Sequence, residues 1–223
     1  KLMLGTLTML NAADPQRESK ARALLNEAIE GRPDLTGAYF ALAALDSQKG
    51  DANAAADNYE KLIAKNPKHI PSLMLLAMIR ERQERFEDAA KQYRAILAVN
   101  PRFGPAANNL AWLMADKLNG DLEEALKLAQ TAKEVLPNEG GVADTLGWVY
   151  FKKGSARASL PYIEEALESD QKAGRTVANP DVLGHLAEVK FALGDKEGAK
   201  QAIDEALKIV PQGNPARATF EAI

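Results

Sequence analysis

Two histidines and several carboxylate clusters are the residues in this chain that could take part in metal binding or acid–base chemistry. His69 follows Asn66-Pro67 in a predicted turn, and His185 lies in a predicted helix. Neither has a second histidine at helical spacing, so neither is predicted to bind a metal. The chain has no cysteine, which excludes disulfides, thiolate catalysis and thiolate-bound zinc.

The carboxylates cluster in the stretches "DLEEA", "YIEEALESD" and "DEALK". We interpret these as helix starts or exposed helix faces, where anions favour the helix dipole and pair with lysines about four residues on. Glu123 and Lys127 are one such predicted pair. HExxH, GxSxG and P-loop motifs are absent from the sequence. We therefore expect a protein that is not an enzyme and has no cofactor.

Composition excludes further classes of function. The chain has 223 residues, 46% of them hydrophobic, with 28 basic against 31 acidic side chains and a formal charge of −3. This composition is globular, and it lacks the excess of cations that binding to nucleic acid requires. Apolar runs stay well short of the ~18 residues that span a bilayer, so we expect no direct membrane insertion. The chain starts at Lys1 and stops in "ATFEAI", which resembles the opening of a helix, so we expect a fragment of a longer parent.

Two series of small residues recur along the chain with nearly one period. The first follows a leucine each time and comprises Ala43, Ala77, Ala111, Gly147 and Ala187. The second comprises Ala21, Ala55, Ala89, Ala125, Ser159 and Ala199. Both series have spacings of 34 to 40 residues. Small residues let two helices approach to about 8–10 Å, so they predict the crossing points of helix pairs.

Turn signals separate the predicted helices. Pro33, Pro67, Pro101, Pro137 and Pro211 each end a unit, because proline cannot continue a helix. Gly-Asp or Gly-Ser steps begin at Gly50, Gly120, Gly154 and Gly194, whereas the third unit has "ERQERFED" instead. Glycine can end the first helix in the left-handed conformation, and Asp or Ser can cap the second. The unit is therefore helix, turn, helix, and stacked units form a superhelical solenoid.

In its period, leucine-small pairs and closing prolines, the chain resembles the tetratricopeptide repeat family over essentially its whole length. The resemblance implies an all-α fold, a right-handed superhelix in a single array. About six repeats are expected, at residues 1–33, 34–67, 68–101, 102–138, 139–178 and 179–212. Residues 213–223 would start a capping or further helix.

A narrower resemblance rests on the units "NNLAWL", "DTLGWVY" and "NPDVLGHLAEV". They are similar to the C-terminal repeats of bacterial tetratricopeptide lipoproteins of the exosortase, or PEP-CTERM, system. This resemblance implies a lipid-anchored parent in an extracytoplasmic compartment. It also implies an adaptor role in the assembly of the envelope, in exopolysaccharide export or in protein sorting.

The predicted binding surface is the concave face, which the first helices of the repeats line in this fold. Residues four and three apart share one helical stripe. The stripe consists of Phe40, Met74, Met78, Asn108, Trp112, Asp144, Trp148, Phe151, Glu188 and Phe191. Aromatic and methionine side chains suit an apolar or amphipathic protein partner. Alternatively, neighbouring first helices bury these side chains against one another.

Two functions remain open at this point. One is an adaptor that binds a peptide or helix in the groove, and the other is a structural spacer or self-associating array. A clamp for a C-terminal carboxylate, known in this family, is rejected because Phe40, Met74 and Asp144 stand where it would need lysine.

Overall fold

A computed structural model describes residues 1–5, 16–172, 174, 178–214 and 216–221, and helices account for most of them. We number twelve helices in chain order: α1 (Arg17–Gly31), α2 (Thr36–Gln48), α3 (Ala52–Lys65), α4 (Ile70–Arg82), α5 (Phe86–Val99), α6 (Gly104–Asp116), α7 (Leu122–Val135), α8 (Gly140–Lys152), α9 (Ala156–Lys172), α10 (Pro180–Ala192), α11 (Lys196–Ile209) and α12 (Ala216–Glu221). Residues 2–5 form one more helical turn.

Consecutive helices pair as antiparallel hairpins. The pairs are α2 with α3, α4 with α5, α6 with α7, α8 with α9, and α10 with α11. Hairpins also pack on their neighbours, through α3 and α4, through α7 and α8, and through α9 and α10. The predicted all-α fold of about six helix–turn–helix repeats is confirmed.

The chain divides into two compact units, residues 1–101 and 102–223. The first unit contains α1 to α5, with one core cluster centred on Leu25 and Leu42 and another on Tyr59 and Leu76. The second unit contains α6 to α12, and its clusters join α8 to α11 and then α10 to α12. In the part of the chain that the structure describes, no helix combines the length and the apolar character needed to cross a membrane.

The two series of small residues lie at helix crossings, as predicted. Their alanines are buried, most of them completely, and Gly147 and Ser159 are buried as well. Gly147 shows the reason most directly. A Cβ added there would lie 2.6 Å from Ile163 Cδ1 and 3.2 Å from the carbonyl oxygen of Ser159. At this point α8 and α9 approach so closely that a methyl group does not fit without a shift.

The turns between hairpin helices use the left-handed conformation, as predicted for Gly50, Gly154 and Gly194 with φ of 78°, 78° and 86°. The prediction is wrong for Gly120, and the third unit, which lacks a turn glycine, uses another residue. Glu84 takes this conformation with φ of 57° in the third unit, and Asn119 takes it with φ of 45° next to Gly120.

Gly120 has a different role from the other turn glycines. Its N–H donates to the carbonyl oxygen of Met114 at 2.8 Å, and a Cβ there would lie 3.1 Å from Met114 Cβ. The longer loop after α6 therefore folds back on that helix, and Gly120 allows the close approach.

The predicted N-caps at Asp51, Asp121 and Asp195 are confirmed. Each carboxylate accepts a hydrogen bond from a backbone N–H in the first turn of the following helix, at 2.8 to 3.0 Å. The predicted pairing of Glu123 within α7 is wrong, because Glu123 forms its ion pair with Lys153 at the end of α8. Helix α7 packs against α8, so the lysine of the neighbouring hairpin reaches this carboxylate.

Helix α12 packs against the last hairpin. Phe220 is buried with Leu183, Ala206 and Val210. A Cβ at Gly184 would lie 2.8 Å from Phe220 Cε1, so the glycine makes room for this ring.

Candidate functional site

The α6–α8–α10 cavity, of about 450 Å³, opens in the second unit. Its walls come from the first helices of three successive hairpins, together with the residue after α6, the residue before α10, and α12. The lining residues are Trp112, Asp116, Lys117, Asp144, Trp148, Asn179, Asp181, Gly184, His185, Glu188 and Phe220. Stacked repeats therefore bring together side chains that are up to about 100 residues apart in the sequence.

Trp148 forms a fixed wall of the cavity. Its ring is only 3% exposed and stacks on His185, with ring centroids 4.0 Å apart and planes at 20°. Phe151 stacks on the same ring at 5.2 Å, and the indole Nε1–H donates to Asp116 Oδ1 at 3.0 Å. Since stacking and a hydrogen bond hold it, Trp148 shapes the cavity but offers a partner little of its own surface.

His185, which stacks on Trp148, forms an ion pair with Asp144. His185 Nδ1 lies 2.8 Å from Asp144 Oδ1. Burial lowers the pKa of His185, but the hydrogen bond and charge of Asp144, with the charges of Asp116 and Glu188, raise it more. The net pKa lies above the ordinary value, so the pair favours an imidazolium that donates to a carboxylate.

Asp116 and Lys117 lie near the rim beside Trp112. Lys117 Nζ is 2.9 Å from Asp116 Oδ2 and 5.3 Å from the centroid of the Trp112 ring. Burial raises the pKa of Asp116, but Lys117, the Trp148 indole and the charge of Lys152 together lower it by more, so the net pKa lies below the ordinary value. Asp116 is thus held as a carboxylate, and the Trp112 ring already lies next to a cation.

Glu188 differs from the other buried carboxylates of the cavity. It is half-buried, and within the described residues no side chain donates a hydrogen bond to it or forms an ion pair with it. Burial is the largest effect and raises its pKa, the charges of His185 and Lys152 lower it, and the charge of Asp116, the smallest of these effects, raises it. Its charge is therefore only partly compensated by the protein itself.

The predicted stripe is only partly brought together in the second unit. Trp112, Asp144, Trp148 and Glu188 line the cavity. Phe151 lies behind Trp148 and also packs on the core cluster of α8 to α11. Of the ten residues of the stripe, Trp148 is buried, Met78 and Phe191 are exposed, and the other seven are half-buried.

Two more residues of the predicted stripe lie in the second unit but outside the cavity lining. Phe191 is exposed near the end of α10. Asn108 donates to Asn109 Oδ1 at 3.2 Å, and its own Oδ1 is buried without a hydrogen-bond partner.

In the first unit, the predicted residues lie on α2 and α4. Phe40 makes edge contacts with Tyr59 and His69, at centroid distances of 5.9 and 5.7 Å. Met74 is half-buried, and Met78 is exposed. His69 is the N-cap of α4, where its ring accepts a hydrogen bond from the N–H of Ser72.

Sequence reasoning missed Asp116, Lys117 and His185 as members of the site. Gly184 occupies the slot of the sixth repeat that Asp144 occupies in the fifth, and His185 is the next residue. The repeat alignment therefore places His185 near Asp144. The described residues contain no group of three or more His, Cys, Asp or Glu placed to hold a metal.

Two family models, both of the tetratricopeptide repeat, match the chain at residues 47–113 and 145–214. Together these segments cover more than half of the chain. The second segment includes most of the residues that line the cavity.

One relative and two solved structures are also similar to this chain. The protein FlbA of Caulobacter vibrioides is 28% identical over 198 residues, which is 86% of this chain and 32% of FlbA. The chain thus spans about a third of the length of that relative. The structure of PilF from Pseudomonas aeruginosa superposes with a TM-score of 0.67, at 17% identity, over 99% of this chain and 95% of PilF. YrrB, described as a protein with an unusual peptide-binding site, gives 0.65 at 18% identity over 89% and 97%. Both structures show the fold.

Proposed function

Because the chain belongs to the tetratricopeptide repeat family, whose repeats are non-catalytic scaffolds for protein–protein interaction, we propose that it binds a peptide segment in the α6–α8–α10 cavity. The observation that carries this proposal is the convergence of three successive first helices on one cavity. Its volume lies within the range of about 300–1,000 Å³ that is typical of ligand sites.

The walls of the cavity support a peptide partner. Trp148 and His185 are fixed by stacking, so binding costs little side-chain ordering on that side. Trp112 lies half-exposed at the cavity and provides an aromatic anchor of the kind that dominates binding energy at interfaces. Asp144 and Glu188 add polar groups that fix the orientation of a bound chain.

In the first unit, the exposed Met78 and the half-buried Met74 and Phe40 are proposed as a second contact surface for a protein partner. In the second unit, Phe191 is an exposed aromatic residue and is proposed as a further contact. Methionine and phenylalanine provide apolar area, and methionine adapts to different partners.

The cellular setting we propose is the bacterial envelope. Support comes from the resemblance to lipoproteins of exopolysaccharide and protein-sorting systems, and from the bacterial source of FlbA. Fractionation of the source bacterium tests this proposal. Recovery of the parent protein in the envelope fraction supports it, and recovery only in the cytoplasm contradicts it.

Selection from a phage-displayed library of random dodecapeptides tests the binding function. The wild-type chain should enrich peptides that bind in a fluorescence anisotropy assay. Trp112→Ala should weaken them at least about tenfold, because it removes an aromatic anchor worth more than about 1.4 kcal/mol. Leu193→Ala removes an exposed apolar side chain outside the cavity and should leave binding unchanged.

Two results would contradict the proposal. One is a set of enriched peptides whose affinity is the same for wild type and Trp112→Ala, with circular dichroism showing both folded. The other is a failure to enrich any peptide. If sedimentation velocity then shows concentration-dependent oligomers, a self-associating array is favoured instead.

A further inference from the structure

We propose that the α6–α8–α10 cavity is specific for a basic peptide, and that a lysine or arginine side chain of the partner pairs with Glu188. This inference rests on the proposed peptide-binding function and adds the chemistry of the ligand.

The lining of the cavity carries more negative than positive groups. Its lining includes four carboxylates, those of Asp116, Asp144, Asp181 and Glu188, against the single ammonium of Lys117 and the imidazole of His185. Two of the carboxylates already have partners, since Asp116 binds Lys117 and Trp148, and Asp144 binds His185. The cavity therefore keeps a negative excess even with the nearby charge of Lys152, which acts on Asp116 and Glu188. This excess attracts cations and repels an acidic peptide.

Glu188 is the half-buried carboxylate of the cavity that forms no hydrogen bond or ion pair with a described side chain. It shares the cavity with Asp116, and the charges of both residues are near enough for each to act on His185. A half-buried carboxylate loses hydration without gaining a donor, so a ligand cation would recover interaction energy that the free protein lacks. A neutral or acidic ligand group would leave it uncompensated.

The tryptophans that line the cavity lie beside cations. Lys117 lies over the Trp112 ring and Lys152 over the Trp148 ring, at 5.3 and 4.9 Å from the centroids. Both tryptophans of the chain thus already lie beside an ammonium group, an arrangement that the negative face of an indole favours. The methylene stem of a ligand lysine or arginine can pack on Trp112 while its charged end pairs with Glu188.

The phage selection described above provides the probes for the test. The enriched dodecapeptides should contain lysine and arginine more often than the starting library does. Each binder is then resynthesised with its basic residue replaced by norleucine or by glutamate. Norleucine should weaken binding to the wild type about tenfold, and glutamate should weaken it more, because charge repulsion is added to the lost pair.

Glu188→Gln assigns the effect to one side chain. In this variant the lysine and norleucine peptides should bind with nearly equal affinity. Glu164→Gln is the matched control, because it removes the same charge from an exposed position on α9 outside the cavity. It should keep the tenfold preference for lysine.

The outcomes separate this inference from the proposed function. Binders that depend on Trp112 but show no basic preference, or a preference that Glu188→Gln leaves intact, overturn the inference and leave the function standing. Failure to enrich any cavity-dependent peptide overturns both.

Discussion

At the scale of single residues, His185 connects the packing of the cavity to its charge. Its ring is stacked on Trp148 and bonded to Asp144, and its pKa responds to carboxylates on three helices, with Asp116 on α6, Asp144 on α8 and Glu188 on α10. The positive charge that it gains stabilises the carboxylates around it. The protonation of His185 is therefore a direct measure of the electrostatics of the cavity.

Asp144→Asn should lower the pKa of His185. Burial alone lowers that pKa, and the hydrogen bond and charge of Asp144 are the largest of the opposing effects. In the wild type the imidazole should titrate above its ordinary value of about 6.5. The measurement is the pH dependence of the His185 ring resonances by nuclear magnetic resonance. Asp181→Asn, at an exposed carboxylate that also lines the cavity, is the control and should change the pKa much less.

The same pair makes the stability of the protein depend on pH. Because the folded pKa of His185 is raised, its contribution is complete below about pH 6.5 and is lost as the pH rises through the folded value. Urea unfolding monitored by tryptophan fluorescence should show this decrease in the wild type and a weaker one in Asp144→Asn. A pKa of His185 that is equal in both proteins would contradict the assignment.

Helical spacing predicted part of the cavity from sequence and missed another part for a physical reason. Trp112, Asp144, Trp148 and Glu188 were recognised because they repeat in register along the first helices. The bond between His185 and Asp144 joins residues 41 positions apart, and it depends on how two hairpins stack. Helical spacing identifies the residues that share one face of a helix. It does not predict that Trp148 is buried, because that burial depends on how α6, α8 and α10 pack together.

At the scale of the helices, small residues set the distances between hairpin partners. Both series were predicted from their period alone, because the requirement for a small side chain recurs at every crossing. The turns were harder to predict, since Glu84 and Asn119 take the left-handed conformation without being glycine. Asparagine takes this conformation readily, but glutamate does not, so at Glu84 hairpin packing overrides the local preference.

Gly147→Ala should destabilise the second unit by about 1–2 kcal/mol. The new methyl group would lie 2.6 Å from Ile163 Cδ1, and Ile163 is fully buried and has little room to move. Ile163→Val removes that δ-carbon, so the double variant should lose less stability than the two single costs combined. Urea unfolding of the four proteins measures this coupling.

Gly141→Ala is the matched control on the same helix. A Cβ at Gly141 meets nothing within 4 Å, so the change should be neutral or stabilising by up to about 1 kcal/mol through helix propensity. Additive costs for Gly147→Ala and Ile163→Val would show that the two side chains do not compete for the same space.

At the scale of the whole chain, the two compact units differ in what they contain. Residues 102–223 include both tryptophans, the cavity and three complete hairpins with α12. Residues 1–101 include two hairpins with α1. In repeat proteins stability is close to a sum of contributions from repeats and their nearest neighbours, and about three stacked repeats are enough to form a stable core.

A fragment of residues 102–223 should therefore fold by itself. Its core clusters lie within the second unit, and the cut before Arg102 precedes the start of α6. Far-ultraviolet circular dichroism should show a helical protein with a cooperative urea transition. Tryptophan emission should match that of the full chain, because Trp112 and Trp148 are the only tryptophans and both keep their neighbours within this unit. The difference between the fluorescence midpoints of fragment and full chain then measures how much the first unit stabilises the second.

A fragment with the red-shifted emission of an unfolded chain and no cooperative transition would contradict the prediction, since the cavity would then depend on residues 1–101 for its structure.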